Sequence, residues 1–136
     1  MSNAFDPNAR SVLVRVLLIG PRREYVFRFI LDTGATQTCI RPDFLRQLGI
    51  DLDQPAGRRR IRSATGGANV PVFRIPFVSA LEHTRENFLV AAQDFPLGVQ
   101  ADGLLGLDFY RGLILRLDFA RGRASLVAPS RWRFWR

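Results

Sequence analysis

An apolar strand that runs directly into Asp32-Thr33-Gly34 is the feature that most restricts how this chain can fold. Phe27, Phe29 and Leu31 alternate along that strand, which is typical of a strand with one buried face. The aspartate then falls at the strand end beside apolar surface, where an ionised carboxylate is poorly solvated. Gly34 lacks a Cβ, so the chain can turn sharply there and pass close to another backbone. Taken alone, the tripeptide would also suit a common turn or helix cap.

A second motif follows at residues 102–109, where the sequence reads Asp-Gly-Leu-Leu-Gly-Leu-Asp-Phe. By itself it would suit an ordinary amphipathic helix start that contains a glycine. Together, the two motifs resemble the active-site loop and the apolar-apolar-Gly segment of the aspartic proteases. The chain has 136 residues and carries one copy of the Asp-Thr-Gly motif, and in both respects it resembles the retropepsin-like branch of that family. The resemblance covers residues 11–128. It implies that Leu105 and Gly106 support the catalytic loop from behind, with Gly106 permitting close backbone contact.

The resemblance implies a mostly β, closed-barrel-like acid-protease domain with a flap hairpin and short helices. Its active-site loop would comprise Asp32, Thr33, Gly34 and Ala35, with Asp32 as the catalytic carboxylate. Hydrolysis of an amide by carboxylates needs two of them around one water, and they share a proton because both cannot ionise so close together. The chain has one Asp-Thr-Gly. We therefore expect a homodimer that acts on a peptide or protein substrate, with no metal or other cofactor.

Two departures from familiar family patterns refine this expectation. Thr36 and Leu107 stand where the retroviral enzymes carry an ion pair, so the resemblance points to the cellular and bacterial enzymes. Ala35 stands where pepsin-like enzymes usually have a Ser or Thr that is hydrogen-bonded to the carboxylate. Losing that bond removes support for the ionised form. We therefore expect activity at mildly acidic to neutral pH.

A hairpin with a glycine-rich tip is predicted between the two motifs. Strand-like runs at residues 59–64 and 70–74 flank Thr65-Gly66-Gly67-Ala68-Asn69. By resemblance this hairpin takes the place of the protease flap, with Thr65, Gly66 and Gly67 covering the substrate. A phosphate-binding loop is a poor alternative, because no Lys-Ser/Thr pair follows the glycines and no helix opens after them.

The rest of the chain predicts many short strands in one domain. Pro42 opens a helix over residues 43–48, and Gly49 ends it. A turn at residues 82–86 is expected to expose His83, the only histidine. Further strands are expected at residues 12–17, 24–31, 38–40, 75–81, 87–90, 113–118 and 123–127. We expect a flexible lead at residues 1–10, the protease domain at 11–128 and an Arg/aromatic tail at 129–136.

The formal net charge of +8 rests on arginine, because the sequence contains no lysine. The complete absence of lysine is more typical of a codon bias in the source genome than of an interface selected for binding. We interpret the run Arg58-Arg59-Arg60-Ile61-Arg62 as a solvated strand or loop edge, with a patch for phosphate or an acidic partner as the alternative. For the tail, a subunit interface or a disordered end is preferred over base stacking or a membrane surface. Nucleic acid is therefore not an expected partner.

Composition also restricts the site chemistry and the setting. Asp51 and Asp53 have no His or Cys nearby, which makes a poor transition-metal site. Cys39, the only cysteine, can form no intrachain disulfide and is expected to be a small buried apolar residue. No apolar segment reaches the length of a membrane span and no secretory signal is evident, so a soluble cytoplasmic protein is expected. The alternatives to an aspartic endopeptidase are a catalytically idle binding or dimerisation module of the same fold and an Arg-rich nucleic-acid binder.

Overall fold

The computed structural model describes residues 3–63, 66–96 and 98–130, with the side chains of residues 62, 63 and 66 excepted. These residues form short strands and two short helices. In chain order the elements are β1 (Leu13–Ile19), β2 (Glu24–Leu31), β3 (Cys39–Ile40), α1 (Pro42–Gln47), β4 (Gly57–Ser63), β5 (Gly66–Ala80), β6 (His83–Ala92), β7 (Gly103–Leu105), α2 (Leu107–Tyr110), β8 (Ile114–Asp118) and β9 (Arg123–Val127).

Six strands close on themselves to form the body of the fold. They lie side by side in the order β1-β2-β7-β3-β6-β5, and β5 pairs back onto β1. Closure is possible because β5 is 15 residues long: its end pairs with β1 from Phe77 to Ala80, while its beginning pairs with β4. The strand β4 therefore lies outside the closed ring. The predicted mostly β, closed-barrel fold with short helices is confirmed.

Alternating side chains of the first two strands fill the barrel. Val16 and Leu18 of β1 are buried, and so are Phe27 and Phe29 of the antiparallel partner β2. Fully burying a side chain of this size contributes roughly 1.5–3 kcal/mol to folding. Phe109 of α2 is also fully buried. The core thus holds together the two segments, the end of β2 and the start of α2, that carry the sequence motifs.

The hairpin between β5 and β6 differs from the expectation. We predicted a turn at residues 82–86, but Ala80 pairs with His83 and only Leu81 and Glu82 form the turn. Both have positive φ, 52° and 65°, the backbone of a tight hairpin turn that usually selects Asn or Gly. Leu81 is buried, so packing against the core compensates for an unfavourable turn residue. The prediction of an exposed turn for His83 was wrong, since it lies half-buried at the start of β6.

The predicted glycine-rich hairpin forms between β4 and β5, but its two glycines lie in a strand. Pairing between the two strands continues through Arg62↔Gly67 and Ser63↔Gly66, so both glycines belong to the strand and not to the tip. A glycine keeps its N–H and C=O and can therefore extend a ladder. The predicted contribution of Thr65 lies outside the described residues.

The first residues that the structure describes are packed against the last hairpin. The Phe5 N–H donates to the Gly122 carbonyl at 2.8 Å, and the Ala124 N–H donates to the Asn3 carbonyl at 2.9 Å. Phe5 is buried, and its ring meets the Phe119 ring edge-on at 5.5 Å between centroids. This differs from the flexible lead that we expected for residues 1–10. Residues 131–136 of the Arg/aromatic tail lie outside the described part of the chain.

Candidate active site

Asp32 follows β2 directly and is fixed by its backbone. Its N–H donates to the Leu105 carbonyl at 3.0 Å, which extends the parallel pairing of β2 with β7 by one step. The Gly34 N–H donates to Asp32 Oδ1 at 2.9 Å, and the Ala35 N–H donates to the Asp32 carbonyl at 3.2 Å. These bonds form a tight turn that presents a half-buried carboxylate at the end of a rigid strand.

Gly34 leaves room for that carboxylate. A Cβ at this position would lie 3.2 Å from Asp32 Oδ1, inside normal contact distance. The hydrogen bond from the Gly34 N–H needs the same close approach. The absence of a Cβ at Gly34 therefore lets the Asp32 carboxylate keep its position without the small shift that a side chain there would force.

Gly106 packs directly behind the Asp32 loop. A Cβ on this residue would lie 2.8 Å from the Ala35 carbonyl oxygen and 2.9 Å from the Gln37 carbonyl carbon. The Leu107 N–H donates to that Ala35 carbonyl at 2.8 Å. The fold thus brings Leu105 and Gly106 against the loop, one through the β2–β7 ladder and the other through direct backbone contact.

Sequence reasoning missed the polar contacts that join α2 to the loop. Asp108 accepts hydrogen bonds from the Thr38 N–H, from Thr38 Oγ1 at 2.7 Å and from Gln37 Nε2 at 3.1 Å. Thr38 is fully buried, and its Oγ1 accepts the Gly106 N–H at 3.0 Å. The available signal was an acidic residue in the first turn of a helix two positions after Gly106.

Burial governs the protonation of the groups around these contacts. Desolvation raises the pKa of Asp108, and the hydrogen bonds from Thr38 oppose that rise. Burial, followed by the charges of Asp108 and Asp32, raises the pKa of Cys39 to about 12. Cys39 is therefore a neutral thiol at physiological pH and no nucleophile, in keeping with the buried apolar residue that we expected.

A cleft of about 580 Å³ opens over the loop, large enough for part of an extended peptide. Its floor comes from the Asp32 loop, one side from β4, and the other side from the segment after β6. The residues that line it include Asp32, Gly34, Ala35, Cys39, Arg60, Ile61, Asp94, Phe95 and Leu104. Among the residues predicted for the site, Thr33 is exposed and is not part of this lining, and Gly67 is exposed on β5.

Arg41 holds the far wall of the cleft in place. Its Nε donates to the Ala101 carbonyl at 3.0 Å and its Nη2 donates to the Val99 carbonyl at 3.0 Å. The guanidinium also lies over the Phe95 ring, 4.8 Å from the centroid. One side chain therefore ties together both ends of the segment that carries Phe95. Nothing in the sequence patterns marked Arg41 for this role.

Two features are absent from the described residues: a metal-ligand cluster and a membrane-spanning helix. No group of three or more His, Cys, Asp or Glu side chains among the described residues could hold a metal ion. Asp51 and Asp53 are exposed and form a local turn in which the Asp53 N–H donates to Asp51 Oδ1 at 2.9 Å. No helix in the described ranges has the length and apolarity that crossing a membrane requires.

Comparison with known proteins agrees with this geometry. A family model described as aspartyl protease matches residues 20–109, so the chain belongs to the aspartyl protease family. Its fold is similar to that in the crystal structure of a retropepsin-like aspartic protease from Rickettsia conorii, with a TM-score of 0.63 and 18% sequence identity. The match covers 93% of this chain and 90% of that chain, and it shows a retropepsin-like fold. No curated protein matches the sequence.

Proposed function

We propose that the protein is an aspartic endopeptidase, active as a homodimer in which each chain supplies one Asp32. The observation that carries the proposal is the position of this carboxylate. Asp32 directly follows a barrel strand, its N–H donates to the Leu105 carbonyl, and its carboxylate accepts the Gly34 N–H and lines a cleft of about 580 Å³. One such carboxylate per chain supplies half of the pair that amide hydrolysis needs.

In the proposed reaction the two Asp32 side chains share one proton. The ionised carboxylate takes a proton from a water molecule as that water attacks the scissile carbonyl carbon. The protonated partner donates its proton to the carbonyl oxygen, which gives a neutral tetrahedral diol. Collapse of this intermediate breaks the C–N bond: the carboxyl that is now protonated gives its proton to the leaving amine, and the other carboxylate takes a proton from a diol hydroxyl as the new carboxyl group forms. The proton count of the pair is restored, so neither a covalent intermediate nor a cofactor is needed.

We propose that the substrate is an extended peptide bound beneath the β4–β5 hairpin. An extended chain can pair with exposed backbone groups, while the cleft walls select its side chains. Ile61, Phe95 and Leu104 contribute apolar surface to the cleft lining. We therefore expect apolar side chains on either side of the cleaved bond.

The decisive experiment compares wild type with Asp32→Asn on a peptide library across pH. The asparagine side chain keeps the size of the aspartate but can neither take a proton from water nor share one, so cleavage should be lost. Asp53→Asn is the matched control, because it removes an exposed carboxylate on a loop outside the cleft lining. Cleavage by wild type that survives in Asp32→Asn would overturn the proposal. A wild type that dimerises and binds peptide without cutting it would favour the idle binding module.

A further inference from the structure

The carboxylate of Asp108 is surrounded by hydrogen-bond donors. The Thr38 N–H contacts both oxygens, at 3.0 and 3.1 Å. Gln37 Nε2 donates to Oδ2, and Thr38 Oγ1 donates to Oδ1. The described part of the chain places no Arg or His in an ion pair with this carboxylate. The donors that contact it within the described ranges are all neutral groups.

Each contact to Asp108 is donated by Thr38 or Gln37. A backbone N–H and an amide NH₂ can only donate. The Thr38 hydroxyl accepts the Gly106 N–H and donates its own proton to Asp108 Oδ1. A proton on Oδ2 would face the Thr38 N–H and the Gln37 amide, and a proton on Oδ1 would require the Thr38 hydroxyl to turn and accept it. These hydrogen bonds favour the ionised form against the desolvation that opposes it.

These contacts link directly to the loop that carries Asp32. Gln37 and Thr38 follow the Asp-Thr-Gly-Ala segment, and the Gly106 and Leu107 N–H groups bind Thr38 Oγ1 and the Ala35 carbonyl. Gln37 Nε2 also donates to the Leu89 carbonyl of β6 at 3.0 Å. If Asp108 loses its acceptor capacity, the segment from Ala35 to Thr38 loses the side chain that joins it to α2.

We propose that Asp108 is a positioning residue that holds the Asp32 loop only while it is ionised, so that its protonation adds a step to the acid limb of activity. The inference rests on the proposed function, since it concerns how that reaction depends on pH. Asp108 neither lines the cleft nor touches the reacting atoms; it acts through Thr38 and Gln37.

The other groups near Asp108 do not replace it as the titrating group. Cys39 and Tyr110 both interact with its charge, and burial raises the pKa of each, so both are neutral across the acid range. The charge of Asp32 acts on the same two groups, and Asp32 itself belongs to the proposed catalytic pair. Arg85 of β6 donates to the Phe109 and Arg111 carbonyls at the far end of α2.

The sign of the linkage separates this effect from acid unfolding. Burial raises the pKa of Asp108, so the ionised form costs folding free energy, and this cost is removed as pH falls through the folded-state pKa. Protonation of Asp108 therefore does not unfold the protein. Its effect is local: the loop loosens while the barrel stays intact. Activity should fall at acid pH without loss of global structure.

The test measures kcat/KM against pH for wild type, Asp108→Asn, Thr38→Val and Thr38→Ser. The asparagine in Asp108→Asn is neutral at every pH, so kcat/KM should lie below that of wild type wherever Asp108 is ionised, and the logarithmic slope of the acid limb should fall from about 2 to about 1. Thr38→Val removes a donor that favours ionised Asp108, so its acid limb should move to higher pH. Thr38→Ser restores the hydroxyl and should restore the wild-type limb. Dimer content is checked at each pH.

A second readout does not depend on cleavage. Hydrogen exchange is measured for peptides covering residues 32–41 and 104–110 and corrected for its intrinsic pH dependence. In wild type these peptides should lose protection as the pH falls, whereas in Asp108→Asn their protection should not change with pH. Peptides from β1 and β2 should stay protected in both. An acid limb that is the same in wild type and Asp108→Asn, or loop protection that does not change with pH, would overturn the inference. If wild type cleaves no peptide, the protease proposal fails, and the hydrogen-exchange data alone then test the role of Asp108.

Discussion

At the scale of single residues, the glycines at the Asp32 loop are favoured by close contacts and not by unusual backbone angles. Gly34 and Gly106 are absent from the positive-φ residues of the described chain, yet an added methyl group at either would meet an atom of the loop. This distinguishes them from Gly49, whose φ of 87° ends α1. The glycines of the two motifs therefore lie where atoms of the Asp32 loop come closest to them.

The first prediction concerns Gly106→Ala. The new Cβ would lie 2.8 Å from the Ala35 carbonyl oxygen, so the loop or α2 must shift. We expect a loss of about 1–3 kcal/mol in the free energy of unfolding, as for other overpacked sites. Because the shift moves Asp32, kcat/KM should also fall. Denaturant unfolding and steady-state kinetics provide the measurements.

Gly57→Ala is the matched control for this substitution. A Cβ there would meet only Val72 Cγ2, at an ordinary 3.7 Å. Stability and activity should stay close to wild type, since replacing Gly at a compatible position changes stability by less than about 1 kcal/mol. Equal behaviour of the two alanine variants would mean that the contact behind the loop does not position Asp32.

At the scale of elements, sequence reasoning predicted the segments whose conformation follows from the residues within them. The strand that runs into Asp32 and the helix between Pro42 and Gly49 follow from alternation and from end signals. The β5–β6 turn did not, because Leu81 and Glu82 adopt a backbone that their residue types disfavour. Only the burial of Leu81 in the finished core accounts for that turn.

The same division applies to the candidate site. Asp32 and Gly106 could be predicted because their motifs are contiguous in sequence. The Thr38–Asp108 and Arg41–Phe95 contacts could not, since each joins residues from separate segments whose spacing follows no periodic pattern. Such contacts depend on the closed barrel, which is set by long-range pairing between β1 and β5.

The second prediction concerns the Arg41 clamp. Lysine cannot form the two-pronged contact to the Ala101 and Val99 carbonyls, and it stacks less well on Phe95. Arg41→Lys should weaken the contacts that order the segment around Phe95 by about 1 kcal/mol. KM should therefore rise roughly three- to tenfold, with little change in kcat. Arg46→Lys is the control, because Arg46 forms an exposed ion pair with Asp43. A KM for Arg41→Lys that equals the control would show that the clamp does not shape the cleft.

At the scale of the whole molecule, the described residues of one chain build a complete barrel but only half of the proposed catalytic pair. The barrel closes within the chain through β5 and β1. Ala4 forms an isolated antiparallel β-bridge with Arg123, so the first described residues lie against β9. We infer that folding and catalysis are separable, and that the second chain is needed for the chemistry more than for the fold.

The last prediction uses mixed dimers to test this separation. Wild type is incubated with an equal amount of Asp32→Asn under conditions that allow subunit exchange, and cleavage is compared with that of the same wild type alone. If each active site needs Asp32 from both chains, random pairing leaves roughly half of the wild-type chains in wild-type dimers, so activity should fall to about half. Mixing with Asp53→Asn controls for dilution and exchange and should add activity instead. Sedimentation confirms that the mixed species are dimers. Undiminished activity after complete exchange would mean that a single Asp32 suffices, and the catalytic pair would then have to be sought within one chain.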